Sequence, residues 1–115
     1  HYASPESVIQ NSLISEGCNI EGHIDFSVLF AGVTIEPGAV VRDSIIMPNT
    51  TIKKGAVVEY AIVGEDCVIG ENVKVGARPE SIEDKDTWGV AVIGHGVTVS
   101  DNAEIKPKAM ISANV

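Results

Sequence analysis

Residues 26–63 read FSVLFAGVTIEPGAVVRDSIIMPNTTIKKGAVVEYAIV. Within this stretch Leu29, Ile35, Val41, Ile46, Ile52, Val58 and Val63 recur at steps of six, six and five, so the pattern closes from 29 to 46 and again from 46 to 63. Two positions before each aliphatic stands a small or compact side chain: Ser27, Val33, Ala39, Ser44, Thr50, Ala56 and Ala61. Strand side chains alternate between faces, so a step of two puts both members of each pair on one side of a short strand. Three such strands make one triangular coil, and coils stacked in phase make a parallel β-helix, in which each coil meets only its neighbours.

The same register runs outward in both directions. Ile14, Ile93 and Ile111 extend one column, Ile20, Ile69 and Val99 the second, and Ile24, Val75 and Ile105 the third. Asn11-Ser12-Leu13-Ile14, Phe26-Ser27-Val28-Leu29, Asp43-Ser44-Ile45-Ile46 and Tyr60-Ala61-Ile62-Val63 are copies of one motif. We therefore expect an all-β, single-stranded parallel β-helix of about five to six triangular coils over residues 11–115, with 1–10 as a lead-in. The period breaks at 76–90, where about a dozen residues leave the prism as a loop carrying Arg78, Glu80, Glu83, Asp84, Lys85, Asp86 and the single Trp, Trp88.

Composition fits such a prism. The chain has 115 residues, enough for one domain, and is 44% hydrophobic with only 4% aromatic residues, as suits an interior just wide enough for aliphatic side chains. A formal charge of −8 disfavours a phosphate-backbone partner, and no apolar run is long enough to span a membrane. Cys18 and Cys67 fall on one face three coils apart. At about 4.8 Å per coil their separation is roughly 14 Å, twice the ~7 Å limit for a disulfide, so both read as apolar packing residues of a cytoplasmic protein. The chain opens on His1-Tyr2-Ala3-Ser4-Pro5 without an initiator Met, as expected of a piece of something longer.

The residue between the two inward ones of each strand faces out. On the second face this row is Asn19, Thr34, Thr51, Val68 and Thr98, and on the third His23, Val40, Val57, Lys74 and Glu104. On the first it is Leu13, Val28, Ile45, Ile62, Val92 and Met110, all apolar, and Phe26, Phe30, Met47 and Tyr60 flank it at the corners. A contiguous apolar strip marks a contact surface, so the first face is expected to dock against another domain or subunit.

Catalytic chemistry is not evident. Acyl transfer on a hexapeptide prism needs a His base, and the candidates are His1 at the chain end, His23 on a strand and His95 at a turn, none with a recognisable orienting carboxylate. Gly64, Gly70, Gly76 and Gly94 are repeat turns rather than a phosphate loop, and no metal-ligand spacing appears. Among the few cations, Lys106 and Lys108 near the end of the prism, together with Arg78, are candidates for a phosphorylated metabolite, whereas Lys53-Lys54 reads as a solvated corner.

The stretches NSLISEGC (11–18), FSVLFAGVTIEPGAVVRDSIIMP (26–48), AIVGEDCVIGENVKVG (61–76) and WGVAVIGHGVTV (88–99) resemble the C-terminal β-helix domain of bacterial glucose-1-phosphate adenylyltransferases, over essentially the whole chain. The resemblance implies a left-handed prism, an exception to the right-handed crossover rule. It implies a nucleotidyltransferase domain outside this chain that makes ADP-glucose from ATP and glucose 1-phosphate with Mg2+ for glycogen synthesis. It also implies that the prism packs on that N-terminal catalytic domain, joins sister subunits into tetramers and contributes to an effector site. No catalytic residue and no cofactor transfer to these 115 residues. Two alternatives remain at this point: a trimeric hexapeptide-repeat acyltransferase using acyl-CoA, with His95 or His23 as base, and the tail of another sugar-nucleotide pyrophosphorylase acting on a GDP-mannose or UDP-sugar.

Overall fold

A computed structural model describes residues 2–83 and 85–115, with Lys85 described in its backbone only. It contains three six-stranded parallel sheets, each strand two or three residues long, wound into a left-handed solenoid of about six coils. His1 and Asp84, both named above, lie outside the described residues.

The first-face sheet runs Leu13–Ile14, Val28–Leu29, Ile45–Ile46, Ala61–Val63, Ala91–Ile93 and Met110–Ile111. Its register sets Ile14, Leu29, Ile46, Val63, Ile93 and Ile111 in one inward column. The second face stacks Ala3, Ile20, Ile35, Ile52, Ile69 and Val99, and the third stacks Ile9, Ile24, Val41, Val58, Val75 and Ile105. The inward aliphatics from Ile20 to Val99 are essentially sealed from solvent, which is why a narrow interior needs branched aliphatics and excludes rings.

The solenoid starts earlier than the sequence pattern indicates. Residues 2–10 are not a lead-in: Tyr2–Ala3 pairs with Asn19–Ile20, and Val8–Gln10 with His23–Asp25. Ala3 takes an inward position that every later coil fills with a larger aliphatic, so the first coil hides from a search for Ile, Leu and Val. At the other end, the tail folds back over the edge of the second face. There the Val115 N–H donates to the Thr98 carbonyl at 3.1 Å and the Ser100 N–H to the Val115 carbonyl at 2.7 Å. Unpaired edges invite unwanted pairing, and this tail covers one of them.

The excursion occurs where the broken period placed it. Val63 pairs with Ile93, so the chain leaves the prism after Gly76 and rejoins at Ala91. Gly76 has φ +71°, and an added Cβ would run into the Glu59 carbonyl, so a residue without a side chain is needed at this exit. The loop, with its short 3-10 turns Pro79–Ser81 and Lys85–Thr87, is tied down by Trp88. The indole N–H donates to the Ala77 carbonyl at 2.7 Å, and the ring meets Tyr60 edge-on at 5.5 Å. Cys18 and Cys67 are free and buried, as their spacing requires. No helix of the structure is long and apolar enough to cross a membrane.

Candidate functional site

Outward alternation delivers the strip the sequence points to. Leu13 is 72% exposed, Ile45 37%, Ile62 38% and Met110 80%, while Val28 and Val92 are half-buried. Phe26 and Phe30 stand exposed beside it, and Met47 and Tyr60 are half-buried. The corresponding outward residues of the second and third faces are mostly Thr, Val, Asn, Lys and Glu, so large exposed aliphatics are concentrated on one side of the prism.

The corner leading into this face is built by a ladder of hydroxyls. The Ser27 hydroxyl donates to the Asp25 carbonyl at 2.9 Å and accepts the Ser44 N–H at 3.2 Å. The Ser44 hydroxyl donates to the Arg42 carbonyl at 2.7 Å and accepts the Ala61 N–H at 3.1 Å. Each serine closes its own turn and holds the next coil, satisfying backbone groups that the tight corner leaves outside the sheets. The residue preceding each serine adopts the left-handed region: φ is 48° at Asn11, 46° at Phe26, 49° at Asp43 and, before Ala61, 49° at Tyr60. Asn and Asp tolerate this conformation, but bulky rings do not favour it. Phe26 is 63% exposed as well, so it occupies a strained backbone site and presents its ring to water. Local strain of this kind is an indicator of function.

Beside Phe26 the corner opens into a groove of about 600 Å³ lined by Asp25, Arg42, Asp43, Tyr60, Arg78 and Glu80, among others. Glu59, only 8% exposed, accepts from Arg78 Nε at 2.9 Å and pairs more loosely with Arg42 Nη1 at 3.5 Å. The Glu59 carboxylate holds the Arg78 guanidinium above its ordinary pKa. Burial, aided by the Asp43 carboxylate, raises the Tyr60 phenol. Asp25 Oδ1 is buried and has no partner among the described residues. Sequence reasoning passed over this group, although the signal is present: Asp25, Arg42 and Glu59 lie 17 residues apart and share one column.

The three effector candidates do not converge. Arg78 lines the groove and is engaged by Glu59. Lys106 borders a separate hollow of about 230 Å³ with Lys74, Ile82 and Glu104. Lys108 donates from Nζ to the Asp86 carbonyl at 3.1 Å, against the excursion loop. His23 sits on the outward row of the third face and His95 on an exposed turn, and no ring hydrogen bond or ion pair of either is found among the described residues. Burial raises the Cys67 thiol, which donates to the Gly94 carbonyl at 3.0 Å, so it stays protonated and unreactive. Among the described residues no three His, Cys, Asp or Glu side chains group as metal ligands.

The profile of the GlmU-like, C-terminal hexapeptide family matches residues 2–100. A glucose-1-phosphate adenylyltransferase of Acetivibrio thermocellus is 33% identical over an alignment covering 96% of this chain and 27% of that protein. The enzymes of that name from Bacillus thuringiensis and Bacillus anthracis are 46% identical over 83% of this chain and 24% of theirs. The chain thus spans about a quarter of the length of these relatives. Among solved structures, the acetyltransferase domain of PglB from Neisseria gonorrhoeae matches 96% of this chain and 50% of its own, with a TM-score of 0.77 at 22% identity. WeeI from Acinetobacter baumannii matches 98% and 53%, with a TM-score of 0.56 at 18% identity. At these identities the likeness concerns the fold alone.

Proposed function

This chain belongs to the GlmU-like C-terminal hexapeptide family, and from that premise we propose that it is the C-terminal assembly and regulatory part of a glucose-1-phosphate adenylyltransferase. The observation that carries the reading is the 46% identity to enzymes of that name, confined to about a quarter of their length. In this reading the parent protein, in the cytoplasm, makes ADP-glucose from ATP and glucose 1-phosphate for glycogen synthesis, and Mg2+ is held by the nucleotidyltransferase part outside these residues. The prism itself does no chemistry. Its task is mechanical: a rigid three-sided rod presents Leu13, Ile45, Ile62 and Met110 to the catalytic domain or a sister subunit, where burying them removes apolar area from water.

For a phosphorylated effector, Lys106 beside Lys74 is the better cation, because Arg78 is already held by Glu59. Lys106→Ala in the parent should then weaken the effector response, whereas Arg78→Ala should act on stability. The acyltransferase alternative has the likeness of fold behind it but no oriented histidine.

The test is direct. The purified 115-residue chain should show no adenylyltransferase turnover, and the parent carrying Ile45→Lys with Ile62→Lys should lose assembly and melt earlier. Acyl-CoA turnover by the isolated chain, abolished by His95→Ala, would instead establish the acyltransferase reading.

A further inference from the structure

The outward row of the first face reads almost the same from either end: Leu13, Val28, Ile45, then Ile62, Val92, Met110. Exposure mirrors it, with 72% and 80% at the two ends, half-buried valines next, and 37% and 38% at the centre. A two-fold contact requires a surface that complements itself, residue i meeting j while j meets i. The only two-fold axis that respects both mirrored patterns lies between Ile45 and Ile62.

The corner has the matching asymmetry. The excursion loop rides over the fourth to sixth coils, where Trp88 covers Tyr60 and the Gly89 carbonyl accepts the Lys108 N–H at 2.9 Å. The same corner of the first three coils carries Asn11, Phe26 and Asp43 with no such cover, and the groove opens there. We propose that a second copy of this chain packs on the first face, antiparallel, so that Ile45 of each meets Ile62 of the other and each loop enters the bare corner beside the other's Phe26. This inference deepens the assembly reading above and rests on it.

Charge is consistent with the antiparallel sense. An antiparallel two-fold keeps each corner against its own counterpart and exchanges third and fourth coils, so Arg42 of one copy comes opposite Glu59 of the other. On the other corner Glu65 and Asp66 come opposite Pro48 and Asn49 instead of another acidic turn. A parallel pairing would instead set each loop against the corner that bears His95. The face is smaller than the roughly 800 Å² per partner of a standard complex, so the dimer is weak, forming between about 10 µM and 1 mM. Each copy carries −8, so added salt should strengthen the association by screening that repulsion.

The experiment is sedimentation velocity on the 115-residue chain and its variants over that concentration range. The wild-type chain should dimerise. Ile45→Lys and Ile62→Glu should each weaken the dimer by about tenfold or more. An equimolar mixture of the two should recover it, because the antiparallel register places the introduced lysine on the introduced glutamate. Both side chains point outward, so circular dichroism should confirm folded variants, and Val57→Lys on the third face should leave dimerisation unchanged. A monomeric wild type at the highest concentration, a mixture that stays monomeric, or loss of the dimer with Val57→Lys would each overturn the proposal. If the wild type is monomeric while the parent still fails to assemble with Ile45→Lys, the second copy is wrong and the assembly reading survives.

Discussion

Ser44 holds two coils with one oxygen: it closes its own corner on Arg42 and receives the Ala61 N–H from the coil above. Its residue is 3% exposed, so removing the hydroxyl strands a buried donor and acceptor that water cannot reach. Ser44→Ala should therefore cost about 1–3 kcal/mol, read as a lower urea midpoint, whereas Ser12→Ala at the exposed first rung should cost less. Tyr60 adds a pH dependence. Its folded pKa is raised above 10.0, chiefly by burial, so the phenol ionises more readily in the unfolded chain than in the native one. The resulting stability is full below pH 10 and is lost as pH rises through the native value. Urea midpoints should fall above pH 10, and Tyr60→Phe should flatten that fall. Serine at the position before a strand reads in sequence only as a small packing residue. Its bonds run to a carbonyl two residues back and an amide about 17 residues ahead, and no spacing rule exposes both at once.

At the level of the element, the strands were legible because each carries one inward aliphatic at a fixed interval, and a stack repeats that test coil after coil. The excursion was legible for the converse reason, since its thirteen extra residues shift the register from a 17-residue step to the 30 between Val63 and Ile93. What holds the loop was not legible. Glu59 lies at the end of a strand, Arg42 one coil below and Arg78 19 residues on, and only the folded prism brings them to one carboxylate. Glu59→Gln leaves two guanidiniums beside a neutral amide and should destabilise the chain by about 1–3 kcal/mol. The loop should loosen first, seen as a red-shifted Trp88 emission before the global unfolding transition. An unshifted emission would mean that the Tyr60 contact alone fixes the loop. The first coil escaped notice for a different reason: Ala3 fills its inward place with too little apolar surface to register in the pattern, although its backbone pairs like any other rung.

Across the whole molecule, a prism only a few residues wide cannot hide every aliphatic it needs, and it concentrates the surplus on one flank. Alternation alone located that flank, because which side of a strand a residue takes is settled once the inward column is known. The corner groove was missed because a charge column such as Asp25, Arg42 and Glu59 looks like solvated surface until its burial is seen. The claim on which the rest depends is that the first face is covered in the working protein. Hydroxyl-radical footprinting, comparing the isolated 115-residue chain at a dilution that keeps it monomeric with the intact parent, measures this residue by residue. Protection in the parent should be strong at Leu13, Phe26, Ile45 and Met110 and absent at Val40, Thr51 and Val57. Equal labelling of Leu13 and Met110 in the dilute chain and the assembled parent would contradict the account.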